Sequence, residues 1–306
     1  MARKITRKRF IIEGAAGIAS IGLLSSMKLP AQKALFTPRK LGRSGIMVPP
    51  VCFGATRISE DALLQHAIEQ GFTFLDTGRS YANGNNERMV GRVTNGARDK
   101  VIIQSKIRLD LKEVPSGINS KKGEGEINTV LSRRFDECLK ALNTSYIDIM
   151  LYHDASDEKL LFHDSVMKFF ESKKSEKIIG AHGFSTHPDC LHLPEKNNEV
   201  NFYDVIMLPF NHKGSYIHSL NKTYSEWDQD RMFNILKKAH DNKIGFIAMK
   251  TCSGGPYQKP GSDSPSFPAA VNWVLGHDFV SSAAVAMANV DEITEHLSAF
   301  TNPISL

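Results

Sequence analysis

Apolar residues fall along this chain in short runs, divided by longer stretches where they recur every three or four positions. The runs are MVPPVCF (47–53), FTFL (72–75), VIIQSK (101–106), IDIMLYH (147–153), IIGAHGF (178–184), DVIMLPF (204–210), IGFIAMK (244–250) and SSAAVAM (281–287). Runs of this length bounded by turn residues predict buried strands. The intervening stretches 60–69, 126–142, 160–172, 231–240, 269–276 and 290–299 have helical spacing. Two further helical patterns are weaker: one near 87–93, and HPDCLHLPEKNNEV (187–200), which prolines interrupt. Strands alternating with helices imply parallel pairing through crossover helices. Eight such units in about 270 residues predict an α/β fold of the (β/α)8 TIM-barrel type rather than a doubly wound sheet.

The segment IRLDLKEVPSGINSKKG (107–123) contains proline and glycine and reads as a long loop after the third strand. On such a barrel, loops that follow strands border the active site. No linker divides the chain after the first residues, so residues 35–306 are expected to be one domain.

Residues 1–34 read differently. A basic start precedes a weakly apolar stretch from Gly14 to Leu24, too short for the roughly 20 residues a bilayer span requires. TRKRFI (6–11) resembles a bacterial twin-arginine export signal, with Lys8 standing where the second arginine is expected. The expectation is an exported, periplasmic protein. No clean A-x-A site follows, so an uncleaved membrane tether is the alternative to a cleaved signal. An ordinary amphipathic helix is the plainer one.

Composition is that of a globular protein, 41% hydrophobic and 23% charged. The formal charge of +5 is matched by Arg3, Lys4, Arg7, Lys8 and Arg9, so the remainder is balanced. No basic stripe interleaved with aromatics follows, which argues against nucleic acid as a partner. Cys52, Cys138, Cys190 and Cys252 form no C-x-x-C pair and read as free thiols. His182, His187, Cys190 and His192 fall within eleven residues, but their spacing fits no common zinc pattern, and no metal is expected.

Catalytic groups of a (β/α)8 barrel lie at the C-terminal ends of its strands. Those ends present Asp76, then Tyr81 in the following loop, Lys106 and His153. Singly, each has an ordinary reading as a cap, a solvated charge or a packing residue. Together they suit carbonyl reduction, where hydride arriving at carbon leaves an alkoxide to be protonated. A free phenol has a pKa of about 10, and a neighbouring ammonium is expected to lower it, with a carboxylate holding that ammonium in place. An imidazole beside the phenol can orient and polarise the carbonyl.

These segments resemble the aldo-keto reductase superfamily. KLGRSGIMVPPVCFG is similar to its first strand and preceding hairpin, GFTFLDTGRSYANGNNERMVG to its Asp–Tyr segment, VIIQSK to its Lys strand and YIDIMLYHD to its His strand. KIIGAHGFSTH, IGFIAMKTCSGG and VNWVLGHDFVSSAAVAMANVDEI resemble its later units. The resemblance implies Tyr81 as proton donor, Lys106 and Asp76 as the groups that tune it, and His153 as the residue that orients a small-molecule carbonyl or alcohol.

It also implies NADP or NAD as cofactor, held without a Rossmann fingerprint by Gly54, Ser185, Thr186, Met207, Met249, Lys250, Ser253 and Asn289. Here the chain departs from the family pattern. Thr186 replaces the usual asparagine, Met207 the usual glutamine, and Met249 an aromatic. Asp291 and Glu292 stand where members that choose NADP offer lysine or arginine, although NADP(H) is the family default. These departures also motivate an alternative, a weak or inactive barrel that binds cofactor or a partner.

Overall fold

A computed structural model describes residues 37–218 and 222–301; the export-signal expectation for 1–34 lies outside them. Eight parallel strands close into a barrel: β3 (Val51–Gly54), β4 (Phe74–Asp76), β5 (Ile102–Ile107), β6 (Ile147–Tyr152), β7 (Ile179–Ser185), β8 (Val205–Pro209), β11 (Gly245–Met249) and β12 (Ser282–Val285), while β9 (Ser215–Ile217) and β10 (Tyr224–Glu226) pair antiparallel outside it. β12 pairs back onto β3 through Ala283–Val51 and Val285–Phe53. All eight predicted runs overlap one of these strands.

Side chains alternate across each strand. Cys52, Phe74, Ile149, Leu151, Ala181, Val205, Met207, Ile247 and Met249 fill the barrel, whereas Phe53, Leu75, Met150, Ile206 and Ala248 pack outward in the larger core beneath the helices. The parity has a direct consequence. Asp76, two residues after Phe74, shares its inward face, as does His153 after Leu151, and Lys106 bonds across to Asp76. The rule that fills the cylinder with apolar side chains therefore delivers the polar ones to its mouth.

The run at 47–53 is not one strand. Met47–Val48 (β2) pairs antiparallel with Arg39–Lys40 (β1), and Val51 opens the barrel strand after Pro49 and Pro50. Neither proline has an N–H for a ladder, so the pairing changes partner there. The hairpin closes the N-terminal end of the barrel. Leu41 and Val48 are buried in the interior cluster, and the Arg43 guanidinium donates to Asp204 Oδ1 at 2.9 Å and to the Phe202 carbonyl at 2.9 Å. Gly42 sits at φ +51°, and a Cβ there would run into the backbone of Gly245.

Two helices differ from expectation. The helix expected at 126–142 spans Lys121–Ala141, because the Ser120 hydroxyl accepts from Gly123 N at 2.9 Å and starts it early. The helix expected at 160–172 is two, Glu158–Leu161 and Asp164–Ser175. The break lies at His163, whose Nδ1 accepts from Ser165 N at 3.2 Å to start the second. Strand β5 runs to Ile107, which leaves 108–120 as the loop, with a short 3-10 turn at Leu111–Glu113.

Candidate active site

The loop after β4 folds back over β5. Thr77 N donates to Gln104 O at 2.9 Å and Arg79 N to Lys106 O at 3.0 Å, extending the β4–β5 ladder past the end of β4. Arg79 then pairs with the fully buried Glu87 at 2.5 Å, and Glu87 also accepts from Ser105 Oγ at 2.7 Å. Ala82 and Asn83 adopt left-handed φ of 47° and 52°. Such conformations cost free energy and persist only where the surroundings impose them. Here they follow Tyr81 and turn the chain into the helix Asn85–Val93.

This loop places the phenol over the lysine. Lys106, 1% exposed, lies deep in the mouth. Its Nζ donates to Asp76 Oδ1, to the Thr77 carbonyl at 2.8 Å and to the Tyr81 hydroxyl at 3.2 Å. The three donors of an ammonium are thus all engaged. The His153 ring meets Tyr81 edge-on, with centroids 5.6 Å apart and planes at 80°. His153 Nδ1 lies 3.2 Å from Ser80 Oγ. The four strand-end residues expected from the sequence converge on one point.

Electrostatics set the charge states of Lys106, His153 and Tyr81. Burial opposes the charge on Lys106, but Asp76 and Tyr81 outweigh it and hold the ammonium above its usual range. Burial pushes the His153 imidazole down to about 3, with Lys106 adding to the effect, so the ring is neutral at ordinary pH. The expectation of an acidified phenol is not met. Burial raises Tyr81 above its ordinary value, and the pull of Lys106 does not offset it. Desolvation of a phenolate in the mouth exceeds its attraction to an ammonium already shared with a carboxylate. Tyr81 is a neutral phenol, which is the form that can donate.

The other expected residues form a wider ring. A Cβ on Gly54 would stand 3.3 Å from Ala286 N and Val285 O, so glycine lets β3 end flush against the last strand. Ser185 Oγ accepts from Asp154 N at 3.1 Å, which leaves its proton free to donate. Thr186 is fully buried and its hydroxyl accepts from Asp189 N at 3.2 Å. Met207 and Met249 lie in the interior cluster, and the Met207 sulfur accepts from Gln104 Nε2 at 3.3 Å.

Lys250, at φ +57°, follows β11 and stands 5.3 Å over the Tyr216 ring. Burial lowers its pKa, and no carboxylate lies within ion-pair distance among the described residues. A half-buried cation without a counter-ion suits an anionic ligand group such as phosphate. Ser253 closes the turn after it, with its N donating to Lys250 O at 3.0 Å.

The start of the helix Val290–Thr301 is occupied by its own side chains. Glu292 accepts from Ala288 N at 2.8 Å and from Asn289 Nδ2 at 3.3 Å, while Glu292 N donates to Asn289 Oδ1 at 2.8 Å. This reciprocal cap puts a carboxylate where an anion would otherwise be bound.

Beside His153, a cleft of about 190 Å³ is lined by Arg108, Asp110, Tyr152, Asp154 and Ser156 among others. His187 pairs with Asp154 at 3.3 Å. The histidine and cysteine group noted in the sequence disperses: His182 stacks on Phe202 at 4.7 Å, His187 takes Asp154, and His192 takes Glu158 at 2.6 Å.

Sequence reasoning missed Ser80, the Arg79–Glu87 pair, Arg108 and Gln104. Gln104 left a trace, since it is a polar residue two positions before Lys106 in an inward-facing row that is otherwise apolar.

The aldo/keto reductase family profile matches residues 55–269, and the chain belongs to that family. It is 23% identical over 296 residues to aldo-keto reductase AFTS1 of Alternaria alternata, covering 85% of this chain and 75% of that protein. Among solved structures, the holo form of an aldo-keto reductase from Bacillus halodurans superposes with TM-score 0.68 at 17% identity, covering 89% of this chain and 92% of that one. An aldo/keto reductase from Klebsiella pneumoniae in complex with NADP and acetate gives TM-score 0.62 at 19% identity, covering 88% and 90%.

Proposed function

We propose that the protein is an NAD(P)-dependent oxidoreductase that interconverts a small carbonyl compound and its alcohol, with Tyr81 as the proton donor. The observation that carries this is the contact of Lys106 Nζ with both the Asp76 carboxylate and the Tyr81 hydroxyl, the latter at 3.2 Å. The nicotinamide supplies hydride to the carbonyl carbon when it is bound. As negative charge grows on the carbonyl oxygen, Tyr81 gives up its proton to it, and the phenolate that remains faces Lys106. Asp76 keeps Lys106 charged and aimed. The neutral His153, accepting from Ser80 at Nδ1, carries its proton on Nε2 and can hydrogen-bond the carbonyl oxygen.

Gly54, Ser185, Met249, Lys250 and Ser253 are the residues that would hold the cofactor. Glu292 at the helix start disfavours a 2′-phosphate and supports acceptance of NAD. We also propose, from the basic segment before Phe10, that the protein is exported; cell fractionation with an antibody to the barrel tests this.

The test of function is Tyr81→Phe. Turnover of an aldehyde and ketone panel should fall by about 10²-fold or more, with NADH and NADPH binding, read by fluorescence titration, unchanged. Equal turnover would remove the assignment. Cofactor binding with no turnover in the wild-type protein would instead favour the binding-protein alternative, which the apolar Met207 and the buried Thr186 make reasonable.

A further inference from the structure

We propose that Gln104 is a positioning residue for this reaction, whose side-chain amide fixes the Asp76 carboxylate and through it the approach of Lys106 to Tyr81. The proposal rests on the roles given above to Asp76, Lys106 and Tyr81. Gln104 lies on β5, two residues before Lys106, and is 0% exposed. Its Nε2 donates to Asp76 Oδ1 at 2.6 Å, the same oxygen that accepts from Lys106, and to Met207 Sδ at 3.3 Å. Its Oε1 is buried and has no partner among the described residues.

The amide orientation is dictated by its neighbours. Turned over, the amide would set its carbonyl oxygen against a carboxylate and a thioether, both acceptors. A buried carbonyl with no donor is a standing cost that a leucine or methionine in the same space would not carry. Packing of the barrel interior therefore gives no reason for a glutamine here. The hydrogen bond to Asp76 does.

That bond changes how the carboxylate acts. With two donors on Oδ1, from Gln104 and Lys106, the Asp76 side chain is held against rotation. Its charge is shared between an amide and an ammonium. Lys106 is then free to keep its other two hydrogens on the Thr77 carbonyl and the Tyr81 hydroxyl. With Lys106 as the lone donor to that oxygen among the described residues, the carboxylate could swing with the ammonium and draw Nζ away from the phenol.

The test replaces Gln104 with Met, which keeps the volume and removes the donor, alone and combined with Asp76→Asn. In Gln104→Met, kcat for carbonyl reduction should fall about tenfold, as for other outer partners of an active group. KM and the dissociation constants for NADH and NADPH should stay within about twofold, the pattern of an interaction made only in the transition state. The melting temperature should be unchanged or higher. In the Asp76→Asn background the same substitution should have no further effect on kcat.

An unchanged kcat, or an equal loss in the Asp76→Asn background, overturns the proposal. So does a variant that melts early or does not fold, because that makes the amide a packing element. Tyr81→Phe assayed alongside separates the two levels. If Tyr81→Phe is inactive while Gln104→Met is unaffected, only this inference fails; if Tyr81→Phe retains full activity, the reading beneath it fails.

Discussion

Ser80 Oγ and His153 Nδ1 lie 3.2 Å apart, joining the loop that carries the phenol to the strand that carries the imidazole. The contact ties the orientation of the imidazole to the placement of the phenol. Replacing Ser80 with Ala should leave the fold intact and release the ring. We expect kcat/KM to fall about five- to tenfold, because a rotating imidazole presents Nε2 to the carbonyl only part of the time. Steady-state kinetics at pH 7 check this. A variant with wild-type kcat/KM would show that the edge-on contact with Tyr81 suffices.

The depressed histidines predict how stability depends on pH. His153 is pushed down to about 3 and His296 to about 4, both chiefly by burial. An unfolded imidazole takes its proton near 6.5, so between that value and the folded one the unfolded chain binds more protons. Stability should therefore rise with pH through this window, be complete above about 6.5, and be lost as pH falls below it. His296 alone should account for on the order of 2–3 kcal/mol between pH 6.5 and 4. Thermal melts from pH 8 to 4.5 should show the decline, and His296→Gln should make it shallower. A melting temperature flat to pH 4.5 would contradict the burial argument.

Glu292 bears on the choice between the two dinucleotides. Its carboxylate holds Ala288 N and Asn289 Nδ2 at the start of the last described helix. Replacing it with Lys removes one negative charge and adds a positive one beside those donors. The affinity for NADPH should rise about five- to tenfold over that for NADH, and the gain should shrink with added salt. Fluorescence titrations with both nucleotides at low and high ionic strength measure it. An unchanged preference would place the adenosine end elsewhere.

Much of the architecture was legible because the barrel repeats one simple rule. Each of the eight apolar runs overlaps a strand, and the polar residues read at strand ends, Asp76, Lys106 and His153, lie at the mouth. The misreadings arose where a single side chain decided the outcome. Ser120 starts a helix that its glycines disguise, and His163 starts a second helix where spacing suggested one. Pro49 and Pro50 divide a run that hydrophobicity alone leaves whole. The charge state of Tyr81 was hidden for another reason. It depends on a balance between desolvation and attraction that residue types do not reveal, and burial wins. Gln104 and Glu87 were overlooked because their partners come from other strands, loops and helices.

Apolar side chains fill the cylinder and Leu41 and Val48 cover its far end, which leaves the mouth as the single doorway. Reactants and products must share it, so they cannot pass straight through. Whichever ligand lodges deeper has to arrive first and depart last, so the solid packing beneath the mouth sets the order of events in each turnover.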